Sequence, residues 1–386
     1  MIGVWCTEGP IYVDKDGSYY GITINNSIIK RYLEYMDKIY ILTRIREIRP
    51  EIKNATKIEN ANIEIIELPN CSTLKGIFIN PNKVKKIVSK YIEKSDFMIV
   101  GLPSILGNIA IDVCKKQNKQ YIVELLACPW DALWNHGKIT GKIMAPIQYF
   151  ITKSKIKNSR NIIYVSNEFL QRRYPNYNNS LNCSDVILEE LDENILQKRI
   201  DKIKRDTNIY KLGLIGSLDL KYKGHNTAIK AVSLLKDTYN IELHFLGKGS
   251  KEYFESYAEK NKVKENVKFD GTLPAGKQVY NWIDEMDIFL IPSLQEGMPR
   301  ALIEAMSRAC PAIGVKTGGI PELIDKAFVC KRKAYQQIAE KIELLLTNKE
   351  LMETEAKKNF EKSKEFQKEI LYRKRKQYYE KIIKEI

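Results

Sequence analysis

Short apolar runs rich in β-branched residues alternate with longer amphipathic stretches along this chain, and this alternation limits the folds that it can adopt. In the first half, buried strands are predicted at residues 1–6, 38–42, 96–101, 121–125 and 162–166, with helices at 27–36, 83–94 and 108–116. In the second half, strands are predicted at 211–216, 241–247, 266–270, 287–292 and 311–315, with helices at 226–236, 251–261, 277–285, 299–308 and 320–324. Strands that alternate with helices form mainly parallel sheets with helices on both faces. The sequence therefore predicts an α/β protein.

A polar and charged region between residues 174 and 206 separates the two series of strands. We place the domain boundary there and expect two doubly wound, Rossmann-like domains, residues 1–190 and 191–350, that face each other. Ligands bind outside the carboxyl ends of the strands in such sheets, so the deep cleft between the domains is the expected site. Residues 351–386 belong to one long, charged helical pattern, and we expect this helix to pack back toward the first domain.

The charge of the chain leaves several classes of partner open. Its 386 residues include 63 Lys and Arg against 48 Asp and Glu, a formal net charge of +15. Nucleic acid, an anionic membrane surface and phosphorylated substrates are compatible with that charge, but no Arg-rich helix or aromatic platform favours nucleic acid. No apolar run reaches the roughly 18–20 residues that cross a bilayer, and the N-terminus lacks a secretory pattern. We therefore expect a soluble, cytoplasmic protein.

The cysteine pattern argues against a metal cage or a disulfide framework. None of the seven cysteines lies in a C-x-x-C pair, and their number is odd. We expect reduced and mostly buried thiols. No cluster of Asp and His stands where a ligand is expected, so no metal site is predicted.

The most informative stretch, residues 291–324, is predicted as strand, loop, helix, strand, loop and helix. Its first loop leads to Pro299, which we place at the first helical position, where proline loses no hydrogen bond. The free N–H groups of that turn and the positive end of the helix dipole form an anion site, and a glycine in the loop lets a phosphate approach the backbone. The residues assigned to this site are Gly297, Met298, Pro299 and Arg300.

Two carboxylates frame this turn, Glu296 before it and Glu304 eight residues later in the helix. One carboxylate can accept hydrogen bonds from a ribose diol, while the other contacts a transferred group. The competing interpretation is a first-turn partner of the helix dipole and a solvated surface charge. The surrounding strand, glycine, proline and helix favour the binding site.

A second group of candidates follows the first strand of the second domain. That strand ends at Gly216, and Lys223 precedes the next helix, so this lysine can reach a diphosphate held at the anion site. The alternative is a solvated lysine in an ordinary loop between strand and helix. Gly271 and Leu273 follow a later strand and are candidates for flanking a flat nucleotide base.

The second half resembles the nucleotide-sugar domain of glycosyltransferase family 4 (group 1). The matching pieces are Lys223-Gly224, Gly247-x-Gly249, Phe269-x-Gly271, Asp287 with Pro292-Ser293, Glu296-Gly297 through Glu304-Ala305-Met306, and Gly318-Gly319-x-Pro321-Glu322. The resemblance implies the GT-B fold and retaining transfer of a sugar from a UDP- or GDP-linked donor, with no other cofactor. It also implies that Glu304 binds the ribose, Glu296 the donor sugar and Lys223 the diphosphate.

One position departs from the family's pattern. The family usually has an arginine directly after the glycine of its first loop, and this chain has Ser217 there. A diphosphate cation is therefore missing, and Lys221 or Arg300 is the expected substitute.

The first half resembles the family's acceptor-binding domain more loosely, in the form found in bacterial enzymes that build surface polysaccharides. Its run from Tyr121 to His136 is a strand followed by an aromatic, polar loop, and Asp131 and His136 in that loop are candidate catalytic residues. An ordinary loop histidine is the alternative for His136. Glu124 is either functional or a buried structural carboxylate.

Residues 142–157 form a basic, amphipathic pattern whose stripe consists of Ile143, Ile147, Phe150 and Ile151. Such a stripe belongs either to the core or to a surface that rests on an anionic membrane holding a lipid-linked acceptor. We therefore expect a metal-independent, retaining glycosyltransferase with a saccharide or lipid-linked acceptor, at the inner face of the membrane. The alternatives are a nucleotide-sugar epimerase, a sugar phosphorylase and a catalytically weak nucleotide-sugar-binding protein.

Overall fold

The structure, a computed structural model, describes residues 1–49, 52, 55–71, 76, 79–135, 137, 139–189 and 191–385. Its strands are β1 (Ile2–Cys6), β2 (Ile11–Val13), β3 (Tyr19–Gly21), β4 (Lys38–Thr43), β5 (Ile45–Glu47), β6 (Thr56–Lys57), β7 (Ile63–Glu67), β8 (Phe97–Leu102), β9 (Tyr121–Leu125), β10 (Asn161–Tyr164), β11 (Asn179–Asn182), β12 (Tyr210–Ile215), β13 (Ile241–Leu246), β14 (Val267–Gly271), β15 (Ile288–Ile291), β16 (Ala312–Val315) and β17 (Val329–Cys330).

The α-helices among the described residues lie on both faces of the sheets and at the end of the chain. They are α1 (Asn26–Leu33), α2 (Pro81–Glu93), α3 (Ile105–Lys116), α4 (Pro129–Trp134), α5 (Ile139–Lys157), α6 (Phe169–Arg173), α7 (Asn194–Lys204), α8 (His225–Ser233), α9 (Glu252–Lys260), α10 (Lys277–Glu285), α11 (Arg300–Ser307), α12 (Tyr335–Thr347), α13 (Lys349–Ser363) and α14 (Lys368–Ile383).

Both large sheets have the strand order of a doubly wound fold. The first has seven parallel strands in the order β7-β4-β1-β8-β9-β10-β11, and the second has six in the order β14-β13-β12-β15-β16-β17. In each sheet the chain starts in the middle, builds to one edge and then crosses to the other side. A switch point therefore lies between β1 and β8, and another between β12 and β15. The predicted α/β architecture of two Rossmann-like domains is confirmed.

The burial of single elements explains why these segments adopt this arrangement. All six residues of β8 are buried, as a central strand covered by helices on both faces requires. In α2 the buried side chains are Val84, Val88 and Ile92, which repeat every four residues along one helix face. Burial of such a stripe against the sheet is what holds an amphipathic helix in place.

The segment after β1 forms a hairpin. Strands β2 and β3 pair antiparallel, and β5 and β6 extend them to a small four-stranded sheet. Asp14 Oδ1 accepts hydrogen bonds from the N–H groups of Asp16 and Ser18, which closes the turn. The carboxylate of Asp14 therefore serves its own turn.

Two segments that look merely polar or charged form regular elements. Asn179–Asn182 is β11, an edge strand that pairs with β10. A polar sequence can form this strand because the pairing uses main-chain hydrogen bonds and does not require alternating apolar side chains. In α7 the Arg199 side chain is only 4% exposed, and its guanidinium donates to the main-chain oxygens of Met286 and Ile283. This helix is thereby bound to the second domain.

The C-terminal region is not the single helix that its charge pattern predicts. A 3₁₀ turn, Lys364–Phe366, separates α13 from α14. At this break Leu188 N–H donates to Phe366 O and Lys368 N–H donates to Leu188 O, both at 2.9 Å. The break between α13 and α14 therefore lies at the point where the chain returns toward the first domain.

Helix α14 packs against the first domain through tyrosines. The hydroxyls of Tyr32 and Tyr379 donate to the carboxylate of Glu124 at 2.6 and 3.3 Å, and the N–H of Ile162 donates to the Tyr378 hydroxyl at 2.8 Å. Glu124 is 4% exposed, so it is a buried structural carboxylate.

All seven cysteines are buried and free, as predicted. Within the described residues, every helix is too short or too polar to span a lipid bilayer.

Candidate active site

Lys223 and Glu296 meet at the switch point of the second sheet. Lys223 ends a 3₁₀ turn after β12, and Glu296 follows the neighbouring strand β15. Lys223 Nζ lies 2.7 Å from Glu296 Oε1, and the two side chains are 23% and 10% exposed. A Cβ on Gly216 would lie 3.0 Å from Cγ of Lys223, so the glycine leaves room for the lysine stem. The structure thus brings these three predicted residues together.

The loop at Gly297 is held tightly between the two domains. A Cβ on Gly297 would lie 2.9 Å from Leu126 O of the first domain. From the other side, Gly319 N–H donates to Gly297 O at 2.8 Å, and Gly318 adopts φ +55° in the same turn. Gly297 is therefore required by the close approach of the domains, which the sequence did not indicate.

Helix α11 begins at Arg300, one residue later than predicted. Pro299 is its N-cap, with an extended backbone at φ −75° and ψ 106°, and Pro299 O accepts the N–H groups of Leu302 and Ile303. The N–H groups that lack intrahelical partners therefore begin at Arg300. The side chain of Met298 is buried in the core, so only its main chain is available to a ligand.

Glu304 lies in the second turn of α11, as expected from the spacing. Burial raises the pKa of its carboxyl, while the neighbouring Arg300 guanidinium opposes that rise. Within the described part of the chain, no side chain donates a hydrogen bond to this carboxylate. A half-buried carboxylate of this kind is ready to accept hydrogen bonds from a ligand.

A cavity of about 100 Å³ beside the Lys223–Glu296 pair is shared by the two domains. Asp131 in α4 lines it from the first domain; its carboxylate is 3.3 Å from Arg173 Nη1, and the residue is 4% exposed. The side-chain oxygen of Gln295 is buried and has no hydrogen-bond partner among the described residues. The lining residues are Ala127, Cys128, Asp131, Tyr222, Lys223, Gln295, Glu296 and Gly297. His136, the other candidate of the first domain, lies outside the described residues.

The residues predicted to flank a base lie at the same edge of the sheet. Gly271 ends β14 with φ +71° and an open space beside its Cα, and Leu273 packs partly buried against the core. Gly247 N–H donates to Gly271 O at 2.7 Å, and Gly247 packs against Gly216 O. Gly247 thus connects Gly216 to Gly271 across the ends of the neighbouring strands β12, β13 and β14.

The structure gives Ser217 a local role. Its hydroxyl donates to Lys248 O at 3.1 Å, so it does not replace a cation. Lys221 Nζ lies over the Tyr253 ring, 4.6 Å from its centroid. Arg300 is exposed at the start of α11. Of these two substitutes, Arg300 therefore lies at the helix terminus predicted to bind the anion.

Arg173 and Glu322 contribute contacts that the sequence did not predict. Glu322 accepts the N–H groups of Asn167 at 2.7 Å and Phe169 at 2.5 Å, so it links the second domain to the start of α6 in the first. Arg173, at the end of α6, pairs with Asp131. The Glu322 contacts depend on how the domains face each other, and no local feature of the sequence indicates them.

The apolar stripe of α5 lies on the surface. Ile143, Ile147 and Phe150 are 60%, 47% and 66% exposed, so the interpretation as core is wrong for these three, whereas Ile151 is half-buried. Ile139, one turn earlier, is 77% exposed, and Trp134 before the helix is 44% exposed. This stripe, Ile139, Ile143, Ile147 and Phe150 with Trp134, is called the α5 stripe below.

Comparisons with known proteins agree with this geometry. The sequence profile described as glycosyl transferases group 1 matches residues 197–363. Protein CapJ of Staphylococcus aureus is 33% identical over 352 residues, 91% of this chain and 88% of CapJ. The capsular polysaccharide biosynthesis glycosyltransferase CapM of the same species is 28% identical over 173 residues, 43% of either chain.

Solved structures show the same fold over the whole length. Anabaena HepE in complex with UDP has a TM-score of 0.69 at 14% identity, covering 99% of both chains. Sucrose-phosphate synthase from Thermosynechococcus elongatus has a TM-score of 0.67 at 13% identity, covering 100% of both. With its two facing Rossmann-like domains, the chain has the GT-B fold and belongs to the family of group 1 glycosyl transferases.

Proposed function

We propose that this protein is a retaining glycosyltransferase that moves a sugar from a UDP- or GDP-linked donor to a saccharide or lipid-linked acceptor during synthesis of a cell-surface polysaccharide. Membership of the family supports the transfer reaction. The name of the relative CapM refers to capsular polysaccharide, and the structural neighbour HepE was solved with UDP. These two findings support the polysaccharide and the nucleotide donor.

The observation that carries the proposal is the shared cavity. Lys223 and Glu296 line it from the second domain and Asp131 from the first, so a sugar held there lies between the domains. Glu296 then contacts the donor sugar and Lys223 its diphosphate. Gln295 offers a sugar hydroxyl an acceptor oxygen that no described residue binds. Closure of the domains around the sugar excludes water and limits hydrolysis of the donor.

The proposed reaction depends on stabilising the negative charge of the departing diphosphate. The bond between the anomeric carbon and the diphosphate oxygen breaks, and a bond to the acceptor oxygen forms on the same face of the sugar. The departing phosphate oxygen takes the acceptor's proton, so atoms and charge balance. Lys223 and the first-turn N–H groups of α11 stabilise the diphosphate. Because these groups supply positive charge, we propose that the reaction does not need a metal ion.

The test is a panel of UDP- and GDP-sugars offered to the purified protein with saccharide and lipid-linked acceptors, with or without EDTA. We expect transfer from one donor, unchanged by EDTA, and a product whose anomeric configuration equals that of the donor by NMR. Inversion of configuration contradicts the retaining mechanism, and loss of activity in EDTA contradicts metal independence.

Donor incubated without an acceptor separates the alternatives. A changed sugar epimer in that reaction indicates an epimerase, and sugar phosphate formed only with added phosphate indicates a phosphorylase. Donor binding without turnover under every condition indicates a binding protein. Each of these outcomes overturns the proposed transfer reaction.

We also propose that the protein rests on an anionic membrane through the α5 stripe. The stripe lies beside an apolar groove between α3 and α5 that is lined by Ile105, Ile109, Met144, Ile147, Phe150 and Ile151 among others. Lys142 is exposed and lies over the Trp134 ring, 5.9 Å from its centroid. Exposed apolar residues flanked by lysines match the interface of a bilayer that contains anionic lipids.

Helix α4 connects this surface to the cavity. Asp131 lines the cavity, and Trp134, at the end of the same helix, belongs to the α5 stripe. A lipid-linked acceptor held in the bilayer is thereby presented close to the donor. This arrangement supports a lipid-linked rather than a freely diffusing acceptor.

A further inference from the structure

A second cavity lies between α1, the segment that links the two domains, and α14. It has a volume of about 160 Å³ and shares no lining residue with the cavity at Lys223 and Glu296. Ser27, Lys30 and Lys368 on its rim are exposed, so the cavity is open to solvent. The residues on its inner side are Arg31, Tyr35 and Arg375.

Three hydrogen-bond donors on that inner side have no acceptor within the part of the chain that the structure describes. Among the described residues, none is a hydrogen-bond partner of Arg31 Nε, the Tyr35 hydroxyl or Arg375 Nε, and all three atoms are buried. Arg375 is 3% exposed, and its guanidinium donates one hydrogen bond, from Nη2 to Ser184 O at 3.3 Å. Buried donors in folded proteins are nearly always bonded, so three that line one cavity indicate an acceptor inside it.

The Tyr35 hydroxyl keeps a proton that it can donate. Its ring stacks on Tyr379 with centroids 4.7 Å apart and an angle of 6° between the planes. Burial, and next the Glu34 carboxylate, raise the pKa of Tyr35. The hydroxyl therefore keeps its proton, and the stacked ring holds its position.

The side chains that line the cavity carry a net positive charge. The Glu124 carboxylate lies in the field of Arg375, but it does not line the cavity and accepts hydrogen bonds from Tyr32 and Tyr379. The acidic residue in the lining is Glu34, which is exposed. On the rim, Lys368 Nζ lies 3.8 Å from a carboxylate oxygen of the exposed Glu189. Asp185 lies in the field of Arg31 and Arg375, but burial raises the pKa of its carboxyl, and no hydrogen bond joins that carboxylate to a described residue of the cavity. The cations that line the cavity are Lys30, Arg31, Lys368 and Arg375.

We infer that this cavity binds an oxyanion of the phosphate class, either inorganic phosphate or the phosphoryl group of a small metabolite. A tetrahedral oxyanion accepts hydrogen bonds in several directions, so it can satisfy two guanidinium groups and one hydroxyl together. One water needs only roughly 10–15 Å³ of such volume, so the cavity has room for the anion. The bound anion links α1 of the first domain to α14.

The test is calorimetric titration of the full-length protein with inorganic phosphate and, separately, with glycerol phosphate, at constant ionic strength. We expect at least one of the two to bind in the millimolar range or tighter and to raise Tm. Comparison of the two ligands identifies the source of the phosphoryl group. Arg31→Gln is expected to weaken binding by about tenfold or more, and Tyr35→Phe by less, because Phe keeps the stacked ring.

Two controls keep the result specific. Arg172→Gln removes an arginine that is 72% exposed on α6 and is expected to leave binding unchanged. Lys223→Met removes the cation of the cleft and is likewise expected to leave phosphate binding at the second cavity intact. Binding lost in Lys223→Met but kept in Arg31→Gln places the anion in the cleft and overturns the inference. Absence of binding of both ligands to the parent, a cavity that holds water only, overturns it as well.

Discussion

Lys223 Nζ lies 2.7 Å from Glu296 Oε1, so the cation proposed for the diphosphate and the carboxylate proposed for the donor sugar are bound to each other. Both side chains are mostly shielded from water, which strengthens the pair. A sugar nucleotide that enters the cavity therefore either shares the charge-assisted hydrogen bond between Lys223 and Glu296 or replaces it with its own. The pair positions Glu296 before the sugar arrives.

Lys223→Met is expected to lower kcat/KM by about 10²–10³-fold, because it removes charge stabilisation of the leaving diphosphate. Lys223→Arg recovers only part of the loss, since a planar guanidinium does not reproduce a compact ammonium. Steady-state kinetics measure both effects. Lys221→Met is the matched control and is expected to retain activity, because Lys221 lies over Tyr253. Equal losses in the two Met variants would argue against a specific role for Lys223.

Glu304→Gln is expected to weaken binding of the nucleotide sugar by roughly ten- to a hundredfold, because two hydrogen bonds from the ribose to a charged acceptor are lost. Since burial raises the pKa of Glu304, its charged form is disfavoured in the folded state. Removing the charge therefore leaves Tm at pH 7 unchanged or higher. Calorimetry and thermal unfolding measure the two effects, with the exposed Glu340→Gln as control. A parallel loss of affinity and Tm indicates a structural role instead.

The pH dependence of donor binding follows from the same shift. A carboxylate accepts two hydrogen bonds from a diol, and its protonated form accepts them poorly. Donor affinity is therefore expected to fall as the pH is lowered through the raised pKa of Glu304. In Glu304→Gln this part of the pH profile is expected to be absent. Calorimetric titrations at several pH values check this difference.

The sequence identified the central strands and the clustering of Gly216, Lys223 and Glu296, because apolar periodicity and loop glycines are local signals. Contacts between domains have no such signal. Nothing local to Glu322 indicates that its carboxylate accepts N–H groups of Asn167 and Phe169 in the other domain. The exposed α5 stripe was ambiguous for a related reason, since one apolar helix face fits either a core or a membrane.

Glu322→Ala is expected to loosen the closed arrangement of the domains. Its carboxylate accepts two main-chain N–H groups, and loss of such charge-assisted bonds costs about 1–3 kcal/mol. We expect a larger radius of gyration by small-angle X-ray scattering and a higher KM for the donor. Glu340→Ala, on the exposed side of α12, is the control and is expected to change neither. An unchanged radius and KM in Glu322→Ala would show that this contact does not hold the domains together.

The double variant Phe150→Ser, Ile143→Ser is expected to bind vesicles that contain phosphatidylglycerol at least about tenfold more weakly than the parent. Both substitutions remove apolar side chains that are exposed on the α5 stripe. Co-flotation with vesicles measures the effect. Tyr177→Ser, which removes a side chain 82% exposed elsewhere on the first domain, is expected to bind like the parent. Binding of the parent to vesicles of neutral lipid alone would contradict the electrostatic part of the proposal. Unchanged binding of the double variant would contradict the stripe.

The two described histidines are expected to act in opposite directions on acid stability. His225 is fully buried at the start of α8, against Phe245 and Phe254, with ring centroids 4.8 Å apart in both pairs. Burial lowers its pKa from 6.5 to about 4. Between pH 6.5 and about pH 4, this histidine is therefore protonated in the unfolded chain but neutral in the folded chain. The free energy of unfolding consequently falls as the pH is lowered through this window. The loss reaches about 3 kcal/mol at its limit.

His225→Leu is therefore expected to flatten the fall in unfolding free energy between about pH 6.5 and pH 4, measured by urea denaturation. For His244, burial is outweighed by hydrogen bonds to Asp270 and Glu242, which raise its pKa. Its stabilising contribution is fully present below the unfolded pKa of 6.5 and is lost as pH rises through the folded pKa. His244→Asn is therefore expected to remove the gain in unfolding free energy that the parent shows as the pH is lowered toward 6.5 from above. Identical acid limbs in the parent and His225→Leu would mean that burial does not lower the pKa of His225. An unchanged pH dependence above pH 6.5 in His244→Asn would contradict the pairing of His244 with the two carboxylates.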